Sequence, residues 1–131
     1  MKIAFVADLG SPQALALVVG EGRKLCDGGA ALDTQTGGAF SRAMQSGRFT
    51  GGEGKTLVVT APHGLEASVV VLAGLGDRSA LTDLAIEEAA GAAYHAVKMS
   101  GAESLTVDAR SLSAEQAARV AFAVKLAAYR F

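Results

Sequence analysis

Apolar residues fall into short blocks separated by glycine, proline and charged residues, and the blocks alternate between two periods. Lys2 to Ala7 is an apolar run that stops at the turn residues Asp8-Leu9-Gly10-Ser11-Pro12, which predicts a first strand and its loop. Ala14 to Val19 is a second such run, ended by Gly20-Glu21-Gly22, and reads as a second strand. Between Leu25 and Ser46, Leu32, Phe40, Ala43 and Met44 recur at helical spacing, but Gly28-Gly29 and Gly37-Gly38 interrupt them. An interior glycine costs ~1 kcal/mol of helix, so one or two short helices are expected there.

Thr56 to Thr60 and Ser68 to Ala73 are nearly continuous apolar runs of the kind expected for central strands covered on both faces. The turn at Pro62-His63-Gly64 makes them a hairpin or a neighbouring antiparallel pair. A long helix follows, from Thr82 to Ser100, with Ser79 or Thr82 as N-cap and Asp83, Glu87 and Glu88 toward its positive end. Its apolar face is read as Leu81, Ala85, Ala89, Ala92, Ala96 and Met99, and Gly101 suits the position after its last turn. Ser104 to Ala109 alternates as a strand. The last helix opens on the capping box Ser113-x-x-Gln116 and runs to about Tyr129. The order β-β-α-β-β-α-β-α predicts an α/β domain, a single mixed sheet flanked by helices.

The last helix is apolar on more than one side. Ala117, Val120, Ala121, Val124 and Ala128 line one face, and Phe122, Leu126 and Tyr129 line another. A stripe wider than one sheet contact predicts that a second surface covers part of this helix; a tightly packed terminal helix gives the same pattern.

Composition narrows the class. The chain has 131 residues, half of them apolar and 19% charged, with a mean hydropathy of +0.32. That excludes intrinsic disorder, which needs low hydrophobicity and high net charge. Alanine and the 16 glycines fill about a third of the chain and Trp is absent, which suits close packing of helices on a sheet. The formal net charge is -1, with no block of like charge, so no nucleic-acid or membrane-surface footprint is visible. The opening apolar stretch is too short for a signal peptide, and no run approaches the ~18 residues of a membrane span. The lone Cys26 cannot form an internal disulfide, in keeping with a reducing compartment. The expectation is a soluble, cytoplasmic single domain.

No motif rises to an active site. Gly51-Gly52-Glu53-Gly54-Lys55-Thr56 looks like the end of a phosphate-binding loop, but Phe49 stands where the first glycine belongs. Leu57-Val58-Val59 then continues as a strand, where such a loop must open a helix. Gly74-Leu75-Gly76 lies between strand and helix, as in a dinucleotide site, yet the third glycine of that pattern is replaced by Ser79; a tight turn explains it better. His63, His95 and Cys26 share no metal-ligand spacing, Glu87 and Glu88 point in different directions, and His95 with Tyr94, Lys98 and Asp83 reads as a solvated stripe. No serine sits in an elbow motif, and Cys26 has no base beside it. No catalytic, cofactor-binding or metal-binding residue is assigned.

The order of segments nevertheless resembles a known family. Ala16 to Leu25 (Ala-Leu-Val-Val-Gly-Glu-Gly-Arg-Lys-Leu) is followed by Gly37-Gly38-Ala39-Phe40-Ser41-Arg42-Ala43, then Gly47-Arg48-Phe49-Thr50-Gly51, then Val70-Val71-Leu72-Ala73-Gly74-Leu75-Gly76. The chain closes on Ala121-Phe122-Ala123-Val124-Lys125-Leu126-Ala127-Ala128-Tyr129-Arg130-Phe131. Together these resemble the N-terminal domain of the leucyl aminopeptidase (cytosol aminopeptidase) family over essentially the whole chain. The resemblance implies a macro-domain-like fold and a non-catalytic domain spanning residues 1–131, with roles in assembly and active-site shielding. It also implies a parent enzyme that removes N-terminal residues such as leucine from peptides. Family members use two divalent metals, zinc, manganese or magnesium, and assemble as hexamers. Their ligands and catalytic Lys and Arg lie in a C-terminal domain around an Asn-Thr-Asp-Ala-Glu-Gly-Arg segment that this chain lacks, so none is carried over. Two other readings stand beside it. One is a free-standing macro-like module that binds ADP-ribose or a related nucleotide through Gly74-Leu75-Gly76 and the helix N-terminus near Thr82. The other is a DNA-binding role, as in some bacterial members, against which the near-neutral charge speaks.

Overall fold

The sequence pattern resolves into one six-stranded sheet between two layers of helix. A computed structural model describes residues 2–6, 13–102, 104–108 and 112–128, the first five and Asp27 without their side chains. In chain order the elements are β1 (Lys2–Val6), β2 (Ala14–Gly20), β3 (Lys24–Leu25), α1 (Asp27–Gln35), α2 (Ala39–Ser46), β4 (Thr56–Thr60) and β5 (Val69–Gly76). A short 3₁₀ turn at Arg78–Ala80 leads into α3 (Asp83–Met99), followed by β6 (Ser104–Asp108) and α4 (Ala114–Ala128). The predicted turn at 8–12, and the residues Ala109 and Tyr129, lie outside the described residues.

The strand order is β1-β6-β2-β5-β4, with β3 pairing antiparallel to β2 off that path. β1, β6, β2 and β5 run parallel to one another along that path, and β4 lies antiparallel to β5 with Thr56 opposite Ala73 and Thr60 opposite Val69. The sheet is mixed, as the element order predicts.

β2 and β5 are buried along their whole length, and their alternation divides the core. Ala14, Ala16, Val18, Val69, Val71 and Ala73 face α3 and α4, whereas Leu15, Leu17, Val19, Val70 and Leu72 pack with Phe40, Met44 and Phe49 on the other side. Small side chains therefore meet the long helices, which let α3 and α4 approach closely. Each fully buried Leu, Ile or Phe contributes about 1.5–3 kcal/mol by leaving water.

Capping follows the sequence. Thr82 Oγ1 accepts from the Ala85 amide at 3.1 Å. Ser113 and Gln116 form the reciprocal box, with the Gln116 amide donating to Ser113 Oγ at 3.1 Å and the Ser113 amide to Gln116 Oε1 at 3.0 Å. Gly101, at φ +81°, takes the left-handed conformation after α3. Leu25 to Ser46 forms two helices, broken where Gly37 and Gly38 both adopt positive φ.

Four expectations are corrected. β4 is an edge strand, and Val58 is 44% exposed; Leu57 and Val59 reach the core on one face only. The buried side of α3 is the wider arc Ala85, Ile86, Ala89, Ala90, Ala93, Tyr94 and Val97, because the helix is gripped by both the sheet and α4. Ala92 and Ala96 are thus half-buried, while Met99, in the last turn, is 87% exposed. Tyr94 is buried rather than part of a solvated stripe, its ring meeting His95 edge-on at 5.7 Å. In α4 the buried positions are Val120, Ala123, Val124 and Ala127, with Ala117 and Ala121 at the margin and Ala128 exposed.

Candidate functional site

Two places in this fold could carry function, and they differ in kind. The first is the C-terminal end of the parallel strands, where open α/β sheets bind ligands. Here the end of β5 is covered by the chain itself. The Gly51–Lys55 segment crosses β5, the Gly74 amide donates to Lys55 O at 2.8 Å and the Gly76 amide to Gly51 O at 2.9 Å. The Glu21 amide donates to Gly76 O at 2.9 Å, tying the end of β2 to the same point. Both glycines of Gly74-Leu75-Gly76 therefore spend their amides on internal bonds. Glycine is required for steric reasons: a methyl on Gly74 would overlap the Gly52 carbonyl oxygen, and one on Gly51 that of Gly20. Gly51-Gly52-Glu53-Gly54-Lys55 is thus a packed connection into β4, not a phosphate cradle.

The turn beyond β5 is set by Asp77, whose Oδ1 accepts from the Ser79 hydroxyl at 2.7 Å and the Ser79 amide at 2.9 Å. The hydroxyl first and the amide second hold the Asp77 carboxyl below its usual range.

The second place is the outer surface of α3 and α4. Arg119 joins the two helices near one end, donating to Asp83 at 3.1 Å and to Glu87 at 3.3 Å. Beyond that clamp lies a groove of about 360 Å³ lined by Glu88, Gly91 and His95 from α3 and by Phe122, Ala123 and Leu126 from α4. Phe122 is 58% and Leu126 44% exposed, one helical turn apart on the same face. Gly91 has no neighbour within 4 Å of where a side chain would begin, which leaves the groove open. This is the second apolar face of the last helix predicted from the sequence.

The other singled-out residues do not converge. Cys26 is buried at the start of α1, while His63 and His95 are exposed on separate elements. Glu87 turns toward Arg119 and Glu88 toward Gly54. Among the described residues no group of three His, Cys, Asp or Glu side chains could hold a metal ion. Nor is any helix among them long and apolar enough to cross a membrane.

A mixed sheet of this order between two helical layers defines an α/β domain of the macrodomain type. The macrodomain of Mycobacterium tuberculosis DarG superposes with a TM-score of 0.70, covering 95% of this chain and 90% of its own at 14% identity, a likeness of fold alone. A variant of tomato leucine aminopeptidase gives a TM-score of 0.76 at 24% identity, covering 99% of this chain and 28% of that one. The sequence matches the cytosol aminopeptidase family, N-terminal domain, over residues 16–131. The protein named "Probable cytosol aminopeptidase" of Caulobacter vibrioides is 46% identical over 134 residues, spanning all of this chain and 27% of that protein. The chain belongs to the cytosol aminopeptidase family, as its N-terminal domain. It spans about a quarter or less of the length of the curated relatives it matches.

Proposed function

We propose that this chain is the non-catalytic N-terminal domain of a cytoplasmic, two-metal aminopeptidase. The parent would remove N-terminal residues from peptides, and this domain would serve its assembly, as a hexamer, and the shielding of its catalytic compartment. The observation that carries the reading is the family match over residues 16–131, together with a relative that is 46% identical over the whole chain yet nearly four times longer. Zinc, manganese or magnesium would be held by the catalytic domain that follows in family members. The described residues of this chain do not fit such a centre, and no catalytic step is assigned to them. The covered end of β5 supports a structural role over nucleotide binding, since the Gly74 and Gly76 amides are already bonded.

The test is to read the gene downstream of the Phe131 codon. The expected result is a continuing frame of about 350 residues, in keeping with the 27% coverage of the relative, that contains Asn-Thr-Asp-Ala-Glu-Gly-Arg. A stop codon at that point would overturn the proposal.

A further inference from the structure

We propose that the groove between α3 and α4 is the seat of the domain that follows this one in the parent chain, with Phe122 and Leu126 as its apolar anchors. The inference rests on the reading of the chain as an N-terminal domain and names the surface that joins it to the rest. Single exposed apolar residues are ordinary on a protein surface. Two large ones a turn apart, flanking an open groove, form a patch of the kind that is covered in the functional protein.

What covers it follows from three observations. The family match makes this domain N-terminal, and about three-quarters of the Caulobacter relative lies outside the matched segment, so most of such a parent follows α4. α4 runs along the groove and Ala127, in its last described turn, still lines it. A following domain is therefore tethered near the groove's own end, and tethering raises its local concentration there. The groove's α3 rim carries the exposed carboxylate of Glu88, whereas Asp83 and Glu87 are paired with Arg119. A second copy docked by two-fold symmetry would bring two such rims together, whereas a different surface can place a cation opposite Glu88.

The experiment compares three proteins: the full-length parent, its Phe122→Glu/Leu126→Glu variant, and a Val58→Glu variant on the unrelated β4 edge. Each is followed by thermal unfolding and by limited proteolysis between the domains. The same double substitution in the 131-residue chain controls for folding; both positions face solvent there, so its unfolding midpoint should match wild type. In the parent, wild type and Val58→Glu should unfold in one transition and resist cleavage. The double variant should show a second, lower transition at the midpoint of the 131-residue chain alone, with rapid cleavage between the domains. Phe122→Leu/Leu126→Met should restore wild-type behaviour. A double variant of the parent that unfolds and resists cleavage like wild type would overturn the assignment, as would a dimer of the 131-residue chain that the double variant converts to monomer. A gene with no metal-ligating domain after Phe131 would instead overturn the family-domain reading itself, before any variant is made.

Discussion

Gly74 lies directly beneath Gly52, so that a methyl group added to Gly74 would overlap the Gly52 carbonyl oxygen and sit 2.8 Å from the Gly51 carbonyl carbon. The two glycines let one backbone cross another without side chains between them, and the Gly74 amide is bonded to Lys55 O in the same crossing. That contact covers the end of β5 and leaves the Gly74 amide unavailable to a phosphate.

Gly74→Ala should accordingly destabilise the chain by about 3 kcal/mol, the upper end of the usual overpacking range, because the clash is with backbone that cannot rotate away. Chemical denaturation measures it. A loss under 1 kcal/mol would show that the crossing can open.

Gly91→Ala should do the reverse. Gly91 sits inside α3 with open space around it, so alanine relieves the entropic cost of a helical glycine and stabilises the 131-residue chain by about 0.5–1 kcal/mol. The midpoint of urea unfolding, at unchanged slope, is the readout.

Asp33 caps a helix to which it does not belong. The N-cap position of α2 is Gly38, which has no capping side chain, and Asp33 Oδ1 instead accepts from the Phe40 and Ser41 amides at 2.9 and 3.1 Å, while the Ser41 hydroxyl bonds its other oxygen. Asp33→Ala should cost about 1 kcal/mol, within the range for a lost N-cap, and hydrogen exchange should quicken across Ala39–Ser46. Unchanged exchange there would mean that the cap is redundant.

Asp77 gives a pH signature. Its folded-state pKa is lowered by the Ser79 hydroxyl and amide, so its contribution to stability is present above the unfolded value of about 3.9 and is lost as pH falls through the folded one. In Ser79→Ala the Asp77 carboxyl should titrate closer to its ordinary value, as NMR would show. An unmoved titration would place the cause elsewhere.

Millimolar ADP-ribose should leave the unfolding temperature unchanged. A ligand at a hundred times its Kd would add ~2.7 kcal/mol, a readable shift, and the bonded amides of Gly74 and Gly76 are not available to receive it.

Local chemistry was legible in the sequence wherever it acts over a few residues. The Ser113-Gln116 box, the Thr82 cap and the break at Gly37-Gly38 all depend on near neighbours, and all form as read. What depends on the assembled sheet was not. Thr-Leu-Val-Val-Thr has the same pattern at an edge as in the centre, so the exposure of Val58 was hidden. Met99 fits the spacing of a buried face but falls where α3 has run past its support. The bond between Asp33 and α2 spans a loop, and no local motif announces it. Of the candidate surface, the excess apolar face of α4 was visible in Phe122 and Leu126, whereas the contribution of Gly91 and His95 from α3 needed the packing of two helices.

If this chain is the non-catalytic domain of an aminopeptidase, its chemistry must reside in the part that follows. The most direct measurement is hydrolysis of a leucyl substrate, with manganese or zinc supplied, by the 131-residue chain and by the same chain continued to the end of its reading frame. Turnover should be confined to the longer protein, the shorter giving no more than the metal alone. Hydrolysis by the 131-residue chain itself, abolished by a chelator, would contradict the assignment.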